Sequence, residues 1–297
     1  MKELDAASKK SLQILYKMGY ANIPNLPLDT VRKIFSSTFQ ANPPDKTIHT
    51  EHNGKPLPLH MYYPPSKKAE TIILYFHGGG YVIRQFSQSA RICRQLANEM
   101  NASVTLVEYS LSPESKFPTA IEEAAFAIDW ATENKELLYG QKNTPIFLYG
   151  ESSGGNLSTA VLLYHENANV QGNILVCPSL DYCHTYESKH ELYAKGYTLD
   201  DDVRLWFANH YLNNDDEREN PLVTFILSDK LKILPRTLII AAHFDPLRDE
   251  ARAFYEALYE KGVSVEFGEF DTVHGFLSLR IKPYNNQAWD DIRTFVK

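Results

Sequence analysis

Two adjacent serines lie at a glycine-rich corner between a run typical of a buried strand and a run typical of a helix. The letters from Gly150 to Gly154 read GESSG and fit the pattern G-x-S-x-G, with Ser152 at its centre. In this pattern the strand turns sharply into the helix and exposes the middle hydroxyl in a strained conformation. The letters alone also fit an ordinary turn or a helix cap. Their position favours Ser152 as a nucleophile, with the backbone N–H of Ser153 directed into the site.

A serine hydroxyl reacts well only when a base takes its proton, and a histidine is the usual base. In chains with this corner, the acid and the histidine follow the serine in that order. His274 comes just after the last predicted strand, in the run FDTVHGFLS. The other histidines beyond Ser152 fall in a predicted helix, inside a predicted strand or in a long segment without strands; these are His165, His243, His184, His190 and His210. We therefore predict that His274 is the base.

The acid that orients this histidine should end the preceding strand, and Asp245 does so. Asp245 also fits a helix N-cap, because Pro246 favours the first helical position. Asp249 lies one turn into the following helix, so we expect it to point away and form a salt bridge. Asp271 is the second candidate for the acid, although it comes only three residues before His274 on the same loop.

The run His77-Gly78-Gly79-Gly80 directly follows a predicted strand. Glycines let backbone N–H groups approach a ligand, and each donor to a developing oxyanion contributes about 2.7–4 kcal/mol. We therefore predict an oxyanion hole at Gly78, Gly79 and Gly80, together with Ser153. A glycine-rich turn is the alternative, whereas a phosphate loop is disfavoured because neither G-K-[ST] nor GxGxxG occurs. We expect His77 to brace the loop.

Strands and helices alternate from residue 71 to the end, which predicts a mostly parallel sheet flanked by helices. The predicted strands cover residues 71–76, 103–109, 145–150, 172–179, 236–245 and 264–270. Before them, two alternating runs flank Asn53-Gly54, a strong turn signal that predicts an antiparallel hairpin at one edge.

Two further segments are expected to form a helical cap over the strand ends, where open α/β sheets bind ligands. Residues 1–40 read as two amphipathic helices, and residues 181–235 contain many aromatics but no clear strand. A structureless loop of that length is improbable. We expect one domain over residues 1–297, with cap elements at about 1–40 and 181–220. Candidate pocket residues, which could equally pack the cap, are Tyr81, Tyr182, Tyr197, Trp206, Phe207 and Phe276.

The composition excludes several classes of function. The formal net charge is −7 and the basic residues are dispersed, so no nucleic-acid partner is expected. We find neither a secretory signal nor an apolar run long enough for a membrane span. Three cysteines fit a reducing cytoplasm better than a disulfide scaffold. Cys177 and Cys183 match no zinc-site spacing, so both are expected to be small buried hydrophobes.

These motifs together resemble the hormone-sensitive-lipase-like family of α/β-hydrolases, many of which are microbial carboxylesterases or acetyl esterases. The similarity runs from about residue 40 to the end. The matching runs are HGGG at 77–80, YSLSPESKFP at 109–118, GESSGG at 150–155, DPLRDE at 245–250 and HGF at 274–276. The chain departs from the family pattern at Glu151, where Asp is usual, at Ser153, where Ala is usual, and at Ser110 and Ser112.

The resemblance implies the α/β-hydrolase fold and a serine carboxylesterase that forms an acyl-enzyme intermediate. It implies Ser152 as the nucleophile, His274 as the base and Asp245 as the acid, with no metal or cofactor. The aromatic cap predicts a confined pocket for small, short-acyl esters. Amide or acetyl-group hydrolysis by the same residues stays open, as does a small-molecule receptor, although such receptors typically lose a member of the triad. Edge strands and closing helices leave room for a homo-oligomer.

Overall fold

The structure, a computed structural model, describes residues 2–38 and 41–297. Its strands are β1 (Lys46–His52), β2 (Lys55–Tyr62), β3 (Thr71–Phe76), β4 (Ala102–Val107), β5 (Ile146–Glu151), β6 (Gly172–Val176), β7 (Arg236–Phe244) and β8 (Val265–Val273). Its helices are α1 (Ala6–Lys17), α2 (Leu28–Phe35), α3 (Phe86–Glu99), α4 (Thr119–Glu133), α5 (Ser153–Tyr164), α6 (Asp201–Tyr211), α7 (Arg248–Glu260), α8 (Phe276–Leu279) and α9 (Tyr284–Val296).

The strands form one sheet in the order β1-β2-β4-β3-β5-β6-β7-β8. β2 is antiparallel to both β1 and β4, and all the other neighbours are parallel. The hairpin turn has positive φ at Asn53 (50°) and Gly54 (74°), as the right-handed twist of a two-residue hairpin requires. The predictions of a mostly parallel sheet and of an antiparallel edge are confirmed.

Helices cover both faces of the sheet. Every residue of β3, β4, β5 and β6 is buried, which explains why these strands read as continuous apolar runs. Successive side chains of β3 enter opposite cores: Ile72 belongs to the cluster that includes residues of α4, α5 and α7, and Ile73 belongs to the cluster that includes residues of α3 and α9. The carboxyl end of β5 is therefore held rigidly at the centre of the sheet.

The last strand is longer than the sequence predicted. β8 continues to Val273, which pairs with Phe244 beyond an irregularity in the ladder between Ala242 and Phe244. Polar residues such as Asp271 do not end β8, because it is an edge strand whose outer positions stay partly exposed. Consequently His274 follows the strand at once, level with the end of β7.

The N-terminal helices and the 181–235 segment pack together above the sheet. Residues 181–235 hold no strand and one α-helix, α6, together with short 3₁₀ and π turns. Val31 of α2 and Val203 and Phe207 of α6 share a small apolar cluster with Leu247, which precedes α7. No helix within residues 2–38 and 41–297 is both long enough and apolar enough to cross a lipid bilayer.

Candidate active site

The corner after β5 holds Ser152 in a strained backbone conformation, with φ 57° and ψ −120°. Its N–H donates to the carbonyl of Val176 (2.9 Å), and its carbonyl accepts from Gly155 N–H (2.9 Å). A Cβ at Gly154 would lie 2.0 Å from the carbonyl oxygen of Phe76, so only glycine fits there. The strain is thus maintained by close packing of α5 against the end of β3.

The structure brings the three separated side chains into one chain of hydrogen bonds. Ser152 Oγ lies 3.1 Å from His274 Nε2, and His274 Nδ1 lies 2.7 Å from Asp245 Oδ2. The other oxygen of Asp245 accepts the backbone N–H of Leu247 at 2.9 Å. Asp245 therefore caps the turn into α7 and contacts the histidine at the same time.

The alternative acid lies elsewhere. Asp271 pairs with Lys2 at 2.6 Å, and its side chain is 40% exposed. Asp249 accepts from Arg248 Nε at 2.7 Å and from the backbone N–H of Ser188 at 2.9 Å. Neither carboxylate contacts His274, so the structure leaves Asp245 as its partner.

Charge around His274 favours its protonated form. Burial alone would lower the pKa of His274, but the charge and hydrogen bond of Asp245 raise it above its usual value. The carboxylate of Glu151 adds to this effect. An imidazole held in this way can accept a proton from Ser152 and stabilise the resulting positive charge.

Glu151, where the family pattern has Asp, is almost completely buried. The hydroxyl of Ser278, just after His274 in the chain, donates to its carboxylate at 2.7 Å. Burial raises the pKa of Glu151, an effect that the Ser278 bond opposes. Glu151 thus ties the end of β5 to the segment that carries His274.

The glycine run lies against the serine corner. A Cβ at Gly78 would come within 3.2 Å of Ser152 Cβ, which places this loop beside Ser152. Across residues 2–38 and 41–297, the backbone N–H groups of Gly78, Gly79, Gly80 and Ser153 donate to no other group. These N–H groups therefore remain available to a bound oxyanion.

His77 supports this loop. Its Nδ1–H donates to the carbonyl of Gly78 at 2.6 Å, and its ring stacks on Tyr109 with centroids 4.5 Å apart. Burial lowers the pKa of His77 to about 4, so the ring is neutral at physiological pH. This agrees with the prediction that His77 braces the loop.

A cavity of about 660 Å³ opens onto Ser152 and His274. This is the size of a site for a drug-like ligand. Two regions line its cap side. From the N-terminal region come Ser11, Ile14, Leu15, Met18, Tyr20, Ile34 and Phe35. The lining residues of the 181–235 segment include Asp181, Tyr182, Cys183, His184, Lys189, Arg204, Leu205 and Phe207. Sequence reasoning expected helices in both regions but identified none of these N-terminal residues.

Two of the six predicted pocket residues, Tyr182 and Phe207, line this cavity. Phe207 projects from α6 onto the glycine loop: a Cβ at Gly80 would lie 2.2 Å from its ring. This contact requires glycine at position 80 and joins the cap directly to the predicted oxyanion hole.

Tyr81 and Phe276 do not line the cavity, because their side chains turn into the two cores. The Tyr81 ring stacks on Tyr211 with centroids 3.7 Å apart, and its hydroxyl donates to Asn156 Oδ1 at 2.8 Å. Phe276 is fully buried and packs against Phe270, with centroids 5.7 Å apart.

Tyr197 and Trp206 also lie outside the lining, which corrects the expectation from sequence. Tyr197 stacks on Phe244 at the end of β7, with centroids 6.2 Å apart. Trp206 packs beside His210 (4.0 Å) on α6. Adjacent helical residues point about 100° apart, so Phe207 faces the cavity and Trp206 does not.

The expectation for the cysteines holds only in part. Cys177 is buried just after β6, whereas Cys183 is exposed. Cys183 lines the cavity together with its neighbours Asp181 and His184. The sequence analysis did not identify Asp181, Cys183 and His184 as a group, because they come from a single turn of the 181–235 segment and match no known motif spacing.

Comparison with known proteins agrees with this geometry. A family model described as alpha/beta hydrolase fold matches residues 73–278. An arylesterase of Saccharolobus solfataricus is 29% identical over 284 residues, covering 92% of each chain. An ethyl acetate hydrolase of Pseudomonas putida is 29% identical over 238 residues, which is 77% of this chain and 74% of its own.

Solved structures extend the similarity to the whole chain. The structure of a hyperthermophilic esterase from Pyrobaculum calidifontis superposes with a TM-score of 0.89 at 27% identity, covering 100% of this chain and 98% of its own. The family model spans most of the chain, including the end of β3, the serine corner and His274. The chain therefore belongs to the α/β-hydrolase fold family, in its hormone-sensitive-lipase-like group.

Proposed function

We propose that this protein is a serine carboxylesterase that acts on esters with a short acyl group. The observation that carries the proposal is the unbroken chain from Ser152 Oγ through His274 to Asp245, at 3.1 Å and 2.7 Å. Similarity to proteins named as esterases supports the choice of ester over other acyl compounds.

The mechanism follows from the atoms in contact. Ser152 Oγ attacks the ester carbonyl while His274 Nε2 takes its proton, and the negative oxygen accepts from N–H groups of the Gly78–Gly80 loop and Ser153. The alcohol leaves with the proton from His274, and an acyl-enzyme remains. Water then attacks the acyl group, with the same base, and releases the acid. Asp245 holds the imidazole in the tautomer that can accept the serine proton.

The size of the cavity bears on the substrate. About 660 Å³ is far more than a short acyl group fills, so the remaining space would hold the alcohol part of the ester. We propose that α1, α2 and α6 form the cap over this space, with the whole chain acting as one domain. Assembly into a homo-oligomer and a cytoplasmic location stay predictions.

A serine pair provides a matched test. Ser152→Ala should abolish hydrolysis of p-nitrophenyl acetate and butyrate and labelling by a fluorophosphonate probe. Ser153→Ala keeps its backbone N–H, so its rate should fall far less than the roughly 10²–10³-fold cost of a lost oxyanion donor. Full activity in Ser152→Ala, or equal losses in both variants, would contradict the proposed roles.

The same assay separates the alternative activities. A panel of p-nitrophenyl esters of increasing acyl length, run beside matching anilides, compares esters with amides and measures the acyl pocket. A wild-type protein that binds a ligand but never reacts with the fluorophosphonate would instead support a receptor.

A further inference from the structure

A second group of reactive side chains lies in the cavity wall, apart from the serine site. His184 Nδ1 lies 3.3 Å from Cys183 Sγ and 2.8 Å from Asp181 Oδ2. One ligand atom from each of the three residues lies within 4.8 Å of the others. All three line the cavity that opens onto Ser152. Carboxylate, thiolate and imidazole are the groups that bind Zn²⁺ in proteins.

The spacing suits a tetrahedral ion. Bond lengths of about 2.3 Å to sulfur and about 2.0–2.2 Å to nitrogen and oxygen imply tetrahedral separations of about 3.6 Å (S–N) and about 3.4 Å (N–O). Small side-chain rotations of His184 and Cys183 would open the present distances to these values. Both side chains are exposed enough to move, since His184 is 47% exposed and Cys183 lies at the surface of the loop.

The anchoring carboxylate is already positioned. Asp181 Oδ1 accepts the backbone N–H groups of Cys183 and His184, at 2.9 Å and 2.8 Å. Oδ2 faces the imidazole and also accepts from the hydroxyl of Tyr186 at 2.8 Å. The two backbone bonds would form in any tight turn, but they use only Oδ1 and leave Oδ2 directed towards the other two ligand atoms.

The charge around the group allows a cation. The ammonium group of Lys189, which donates to the carbonyl of Asp181, forms an ion pair with the buried Glu250.

We propose that Asp181, Cys183 and His184 form a binding site for Zn²⁺ in the wall of the substrate cavity. The fourth position faces the cavity and would be taken by water. On binding, the thiol proton of Cys183 passes to solvent and the imidazole proton moves from Nδ1 to Nε2, so one proton is released per ion. A thiol must lose its proton to act as a metal ligand, so this release accompanies binding.

An ion here would occupy space that the substrate otherwise uses. This consequence rests on the proposed esterase function, whereas ion binding itself does not. Zn²⁺ should raise KM for esters with a bulky alcohol and leave kcat unchanged, because the ion does not touch Ser152, His274 or Asp245.

The test uses Co²⁺ as a spectroscopic substitute for Zn²⁺ on the whole protein. Wild type should give one thiolate-to-cobalt charge-transfer band that saturates at one ion per chain and disappears on addition of Zn²⁺. Cys183→Ser should lose the band, and His184→Gln should raise the Kd by about tenfold or more. Circular dichroism of each variant checks that it is folded.

A second thiol supplies the matched control. Cys177 lies close to Asp245 and His274, and these three form the other group of side chains among the described residues that is close enough together to hold a metal ion. Cys177→Ser should keep the cobalt band if the ion binds at Cys183. A band that persists in Cys183→Ser, one that is lost in Cys177→Ser, or no band in folded wild type would each overturn the proposal. Esterase activity with no cobalt band would reject the zinc site alone and leave the proposed function standing.

Discussion

Replacement of Asp245 by Asn tests the predicted site most sharply, because the structure dictates how the new amide must sit. Asp245 Oδ1 accepts the N–H of Leu247 at 2.9 Å, so the amide oxygen of Asn must keep that place. The amide NH₂ then faces His274 Nδ1 where Oδ2 now lies, at 2.7 Å. Two donors cannot face each other, so His274 must carry its proton on Nε2.

That tautomer donates towards Ser152 Oγ and cannot take its proton. We expect kcat to fall by about 10⁴, the effect of the same change in other serine triads, which corresponds to about 5 kcal/mol of transition-state free energy. Loss of the negative charge should also lower the pKa of His274, so the acid limb of the remaining activity should move to lower pH. Asp245→Ala does not impose the wrong tautomer on His274, so it should retain at least as much activity as Asp245→Asn.

The assay is kcat/KM for p-nitrophenyl acetate as a function of pH, normalised to active sites. Wild-type activity should fall as the pH drops through the pKa of His274, because the protonated imidazole cannot act as a base. That pKa is raised above the usual imidazole value of about 6.5. Asp271→Asn is the matched control: its carboxylate pairs with Lys2 and is 40% exposed, so the rate should not change. Activity of Asp245→Asn within tenfold of wild type would refute the assignment of Asp245 as the orienting acid.

Three further variants probe the surroundings of the site. Glu151→Gln removes a charge that raises the pKa of His274, so the acid limb of the pH–rate profile should move to lower pH; an unmoved limb would contradict this coupling. Lys189→Met leaves the buried Glu250 without its ion partner, so the free energy of unfolding should fall by about 3–5 kcal/mol in urea titrations. The double variant Lys189→Met/Glu250→Gln removes the unpaired charge and should recover part of this loss. Phe207→Ala removes a ring that is 8% exposed and should raise the ratio of octanoate to acetate hydrolysis, while stability falls by up to about 3–5 kcal/mol. An unchanged ratio would place the acyl group away from this ring.

The serine corner and its acid could be predicted because backbone geometry restricts which residues fit. Gly154 has no space for a Cβ beside the Phe76 carbonyl, and Asp245 sits where a parallel strand must end. The sequence favoured Asp245 over Asp271 because Asp245 ends the preceding strand, and the 2.7 Å contact between Asp245 Oδ2 and His274 Nδ1 agrees with that order. What separates them is the extension of β8 to Val273, which leaves Asp271 on an exposed edge.

The walls of the cavity could not be predicted, because they depend on which face of each cap helix meets which neighbour. Phe207 and Trp206 are adjacent and both aromatic, yet only Phe207 turns towards Gly80, an orientation that goes with the packing of α6 on the 3₁₀ segment Tyr20–Asn25. Cys183 looked like a buried hydrophobe until the turn after β6 placed it at the surface. The positions of Ser152, His274 and Asp245 thus depend on where the strands of the sheet end. The substrate would instead be selected by side chains of the cap helices, which come from segments far apart in the chain. Substitutions in the cap can therefore change the preferred ester without moving the contacts of Ser152, His274 and Asp245.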